Sequence, residues 1–186
     1  MRGFSKIVII LIVLFLIMGG FVFYFFQRSP ESSLELPQQK YMKLTSPAFE
    51  NNQSIPSKYT CDGEDINPPL QIDEVPEEAK SLVLIVDDPD APMGTWDHWV
   101  VWNIDPSTSL IKENKVPEGA VEGKNDFGKN SYGGPCPPAG AHHYHFKLYA
   151  LDTKLELDSS SKKGEVEKSM EGHILDWVEL IGLYQR

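Results

Sequence analysis

Val86-Asp87-Asp88-Pro89-Asp90-Ala91-Pro92-Met93-Gly94-Thr95-Trp96-Asp97-His98-Trp99-Val100-Val101-Trp102-Asn103-Ile104-Asp105 is the stretch on which the reading of this chain turns. Apolar runs flank it, Leu82–Val86 before and Trp99–Trp102 after. Short runs rich in Val, Ile and Trp read as strands. Between them the aspartates, prolines and glycine are too rich in breakers for a helix and too polar for a core. Pro89 and Pro92 fix backbone angles, so the segment reads as a stiff loop joining two buried strands. Loops held rigid by a sheet are where binding groups sit. Asp88, Asp90 and His98 are therefore expected to line a pocket.

Working outward, Met42–Thr45 and Pro68–Ile72 read as short strands, the second at a sheet edge because of its prolines. Lys80–Val86 is apolar on both faces, which predicts a central strand. His142–Leu151 alternates, with Tyr144, Phe146, Leu148 and Ala150 on one face and His143, His145, Lys147 and Tyr149 on the other. Lys163–Leu183 carries Val166, Met170, Ile174, Val178 and Ile181 at three- and four-residue steps, which predicts an amphipathic helix. Many strands and one late helix make a mainly β fold, a sandwich capped by a C-terminal helix.

Residues 7–26 are uncharged and apolar, and Arg2 and Lys6 precede them. Twenty residues at about 1.5 Å each span roughly 30 Å, the thickness of a bilayer core. The expected organisation is a cytoplasmic N-terminus (1–6), a transmembrane signal anchor (7–26), a tether (27–40) and one domain (41–186). The basic flank places that domain outside the cytoplasm, as a single-pass membrane protein. A cleaved signal peptide is the alternative, but Phe21, Phe23, Tyr24, Phe25 and Phe26 are not a small-x-small cleavage site. The formal net charge of −10 disfavours a nucleic-acid partner. Cys61 and Cys136, the two cysteines, favour one disulfide in an oxidising compartment; two separate thiols are the alternative.

The loop from Lys124 to Ala141 is long and rich in Gly and Pro, and such loops are usually functional. It brings His142 and Tyr144 into play beside Asp88, Asp90 and His98. A carboxylate can hold an imidazole in one tautomer, and imidazole with backbone amides of a Gly-Pro turn makes an anion receptor. The bland readings are Asx turns for the aspartates and a satisfied half-buried His98. A metal site from His142, His143 and His145 with Asp88 and Asp90 is a rival reading. Against it, His142 and His143 point to opposite faces, and no HExxH or paired CxxC occurs. Nucleophilic catalysis could draw on Ser131 or Cys136, but no GxSxG is present.

Asp87-Asp88-Pro89-Asp90-Ala91-Pro92 with Trp96-Asp97-His98-Trp99, then Gly134-Pro135-Cys136-Pro137-Pro138 and His142-His143-Tyr144, resembles the phosphatidylethanolamine-binding protein family, in its bacterial and archaeal Raf-kinase-inhibitor-like branch. The resemblance runs from about Lys43 to the C-terminus. It implies a β-sandwich with a small anion pocket at one end, whose residues carry over onto Asp88, Asp90, Trp96, His98, Gly134, Pro135, His142 and Tyr144. It implies a non-catalytic protein without cofactor or metal that binds a small anionic or zwitterionic phospho-ligand or lipid headgroup. The alternative it implies is a serine protease inhibitor. Asp97 stands where many animal relatives have a histidine, and His143 where an arginine is expected.

Overall fold

The computed structural model describes residues 41–186. The strands are β1 (Lys43–Thr45), β2 (Gln53–Ser54), β3 (Leu70–Asp73), β4 (Ser81–Asp88), β5 (Trp96–Ile104), β6 (Leu110–Ile111), β7 (Val121–Glu122), β8 (Ala141–Leu151) and β9 (Ile174–Gln185), with helix α1 (Lys163–Met170) between the last two. Six of them form one sheet in the order β2-β9-β8-β4-β5-β7, and β1-β3-β6 form a smaller one. All pairings are antiparallel except β2 with β9.

The main core fills the space between the sheets. Leu44, Ile72 and Ile111 of the small sheet meet Leu82, Leu84, Val86, Val101, Phe146 and Leu148 of the large one. Each such side chain taken out of water contributes about 1.5–3 kcal/mol. The opposite face of the large sheet carries a second core, in which Val83, Ile85, Val100 and Trp102 pack with Val166 and Met170 of α1. That explains why all eight residues of β4 are buried: it is central and covered on both faces. β3, expected at an edge, is the middle strand of the small sheet. Its prolines precede Leu70, so they cost no ladder hydrogen bond.

Two further expectations are corrected. The helix foreseen over Lys163–Leu183 stops at Met170, and Ile174–Gln185 is a strand paired along β8. Gly172, at φ +79°, takes the left-handed conformation that ends helices. Ile174, Val178 and Ile181 continue the spacing of Val166 and Met170 only by coincidence. The second correction concerns the transmembrane helix and the single-pass, extracytoplasmic placement. Among the described residues no helix is long and apolar enough to cross a membrane. Residues 7–26, the expected span, lie outside the described residues.

Candidate functional site

β4 and β5 leave the sheet together, and their pairing shifts where they do. Val86 faces Trp99, but the next residue, Asp87, faces Asp97, so His98 is an extra residue on β5. Such a bulge re-aims a side chain at the end of a strand. A cavity of about 200 Å3 opens there, lined by Asp88, Ala91, Pro92, Trp96, His98, Phe127, Cys136, Pro137, Pro138, His142 and Tyr144.

Both imidazoles are fixed through Nδ1. His98 Nδ1 donates to the Gly133 carbonyl at 2.6 Å, and His142 Nδ1 meets Asp88 Oδ2 at 2.7 Å. Asp88 Oδ1 accepts the Asp90 N–H, an Asx turn that holds the carboxylate in place. Each ring is therefore left with Nε2 for the cavity. Burial pushes the pKa of His98 down, against the pull of the Gly133 carbonyl and of Asp88, Asp87 and Asp97, so the ring stays neutral near pH 7. Tyr144 stands edge-on to His98, with ring centroids 5.2 Å apart. Burial first, and then the Asp88 charge, push its hydroxyl well above the usual phenol range. Among the described residues that hydroxyl makes no hydrogen bond of regular geometry, and the buried Trp96 indole N–H has no partner.

The neutral His98 has a consequence for stability. Its folded pKa lies below the unfolded value near 6.5. Above that pH neither state binds the proton and the contribution is complete; as pH falls below it, the unfolded chain takes the proton first and stability drops. The slope contributed is at most about 1.4 kcal/mol per pH unit. Urea midpoints between pH 7.5 and 5.5 should fall more steeply in the wild type than in His98→Asn, whose amide can still donate to Gly133. Equal slopes would remove His98 from this account.

Five of the eight expected site residues line the cavity: Asp88, Trp96, His98, His142 and Tyr144. The other three do not. Asp90 is exposed and accepts hydrogen bonds from the His143 backbone and ring, on the opposite face of β8. Gly134 donates its N–H to Asp65 Oδ1 at 2.6 Å, and a Cβ there would lie 2.7 Å from the Tyr59 carbonyl oxygen, so it serves close packing. Pro135 accepts the Cys61 N–H through its carbonyl. His143 and His145 sit away from His142, paired with Asp90 and Glu179. Among the described residues no group of His, Cys, Asp and Glu is arranged to hold a metal. Cys136 is bonded to Cys61, which settles the cysteine pairing as a disulfide and leaves no thiol there.

The sequence reading passed over Phe127, Ala91, Pro92, Pro137 and Pro138 as wall residues, although all lie in the two loops it marked. It also passed over Asn125. Buried, this side chain donates to the carbonyls of His98 and Ser131 and accepts the Lys129 N–H, tying the long loop to β5. An asparagine before Asp-Phe-Gly is a turn signal, but nothing local shows that its amide reaches a strand 27 residues away.

The phosphatidylethanolamine-binding protein family model matches residues 45–185. The chain belongs to that family. This family member is 52% identical over 157 residues to a UPF0098 protein of Pyrococcus horikoshii, covering 80% of this chain and 79% of that one. It is 53% identical over 150 residues to a UPF0098 protein of Methanothermobacter thermautotrophicus, covering 78% and 99%. Among solved structures, a putative phosphatidylethanolamine-binding protein homolog from Chlamydia trachomatis superposes with a TM-score of 0.76 at 44% identity, over 79% of this chain and 99% of that one. The E. coli protein YbcL, described as a member of the mammalian family, gives 0.74 at 34%, over 78% and 98%.

Proposed function

We propose that the cavity between β4, β5 and β8 is a receptor for a small phosphate-type anion, free or as a headgroup such as phosphoethanolamine, and that it binds without chemistry. The observation that carries this is the buried Trp96 N–H, which has no acceptor among the described residues, in a lining that also holds His98 and His142. A buried donor left unpaired costs about 1–3 kcal/mol, a cost that an acceptor oxygen arriving in the cavity would relieve. The two Nε2 atoms accept a proton when neutral and donate one when charged. A hydrogen phosphate, which carries both an O–H and anionic oxygens, suits such a pair. About 200 Å3 holds a phosphate or its ethanolamine ester but leaves no room for acyl chains. The family's description, which names phosphatidylethanolamine, supports the same ligand class. Among the described residues no serine or lysine lines the cavity, and the one sulfur there is in a disulfide.

Calorimetric titration of the protein with phosphate, phosphoethanolamine and ethanolamine tests the reading. The two phosphates should bind and ethanolamine alone should not. His142→Ala should weaken phosphate at least tenfold, about 1.4 kcal/mol, by removing a hydrogen-bonding group to a charged ligand. His143→Ala, next along the strand but on the other face, should leave it unchanged. Equal affinities in wild type and His142→Ala would sink the assignment.

A further inference from the structure

A second cavity, of about 370 Å3, is lined in part by the same long loop as the first. Ser131 and Tyr132 line it, and a few residues on Cys136, Pro137 and Pro138 line the other. Its floor is aromatic: Trp99 and Tyr132 are both buried and meet edge-to-face at 5.7 Å. Beside them Glu122 of β7 is half-buried. Its Oε1 accepts the Trp99 indole N–H at 2.7 Å, which is a neutral donor. Among the described residues no lysine or arginine pairs with Glu122, and burial pushes its carboxyl up. A carboxylate withdrawn from water without a cation carries an unrelieved desolvation cost.

Two lysines, Lys115 and Lys129, line the same cavity, and so do the carboxylates of Glu64 and of Asp65, whose Oδ1 is taken by the Gly134 N–H; neither lysine forms an ion pair among the described residues. Their backbones are fixed, because the Lys115 N–H donates to Asn67 Oδ1 and the Lys129 N–H to Asn125 Oδ1. The cavity thus presents charges of both signs that do not satisfy one another, over aromatic rings. We propose that it binds a small zwitterion of the amino-acid class, its ammonium at the half-buried Glu122 and its acid group at Lys115 and Lys129. A partly buried carboxylate pairs with an ammonium group, and lysines supply the point charges for its acid end. This does not rest on the anion reading of the first cavity.

The test is a titration of the protein with glycine, β-alanine and γ-aminobutyrate, which step the spacing between ammonium and carboxylate. n-Butylamine and butyrate serve as single-charge controls, and amide shifts of residues 114–132 as the readout. At least one of the three should bind saturably, at least tenfold more tightly than either control. Glu122→Gln keeps an acceptor for the Trp99 indole, so the fold is retained while affinity falls at least tenfold. Lys129→Gln should weaken binding by a smaller factor. His142→Ala should change nothing, since the acid group does not enter the first cavity. The proposal is overturned if none of the three binds saturably, if n-butylamine binds as well as the zwitterions, if Glu122→Gln leaves affinity intact, or if His142→Ala abolishes it.

Discussion

Replacing Cys61 and Cys136 together by serine is expected to lower the unfolding free energy by about 4 kcal/mol, a large share of the about 5–15 kcal/mol that such a domain possesses. The bond joins residues 75 apart in sequence. A loop of that length loses much conformational freedom in the unfolded chain when it is closed, and the chain-entropy model places the stabilisation just above 4 kcal/mol. The folded state should survive, because other contacts hold the same segments together. The Cys61 N–H donates to the Pro135 carbonyl, the Gly134 N–H to Asp65, and the Tyr132 hydroxyl to the Tyr59 carbonyl. Urea unfolding with and without a dithiol reductant measures the effect directly. The wild type should lose the same increment on reduction, and the double variant should not respond. A wild type insensitive to reductant would show that the bond adds nothing to stability. Because Cys136 is part of the cavity wall, phosphate affinity in the double variant is also expected to fall, though by less than in His142→Ala.

Much of this architecture can be read before any coordinates, and the part that cannot has a common physical cause. The runs flanking the Asp-Asp-Pro-Asp loop are strands because Val, Ile, Leu and Trp side chains are buried on both faces there, and burial leaves a local mark in the sequence. The alternation in β8 does the same: Tyr144, Phe146, Leu148 and Ala150 are buried, while His143, His145, Lys147 and Tyr149 are not. Asp88, Trp96, His98, His142 and Tyr144 meet because β4 ends, and its neighbours β5 and β8 begin, at the same end of the sheet. Backbone partnerships leave no such mark. Gly134 and Pro135 occur in a recognisable motif, yet their work is done through an amide and a carbonyl on the far side of the wall. The bulge that turns His98 is a property of pairing register, which depends on the partner strand. Gly172 is the exception. A glycine inside an apparent helical stripe was a legible stop signal, and the periodicity on either side concealed it.

Lys163→Met is the second substitution with a large expected effect, about 3 kcal/mol of stability. On the reverse face of the strands that carry the cavity, Asp87 of β4 and Asp97 of β5 lie opposite one another. Lys163 of α1 reaches both, at 3.2 Å and 2.5 Å, and Lys147 of β8 holds Asp87 at 2.9 Å. Asp87 is only 2% exposed and Asp97 14%. Removing one member of a buried pair leaves a charge that water cannot reach, and that costs more than the intact pair contributes. Asp97 is the vulnerable group, since Asp87 would keep Lys147 but Asp97 has no other cation among the described residues. Burial already pushes its carboxyl above the usual range, against the pull of Lys163. Without the lysine it would rise further. A carboxyl whose folded pKa exceeds its unfolded one destabilises the fold above that pKa, and the penalty fades as pH falls and the proton is taken up. The deficit of Lys163→Met should therefore be largest near pH 7 and shrink towards pH 5. Lys147→Met should cost less, because that side chain is more exposed and Asp87 retains Lys163. A deficit independent of pH would mean that the variant lost packing of α1 and not a counter-charge. The functional weight of the cluster follows from chain connectivity. Asp87 adjoins Asp88, and Asp97 lies between Trp96 and His98, so the pairs that bind α1 to the sheet also hold the two strand ends on which the cavity is built.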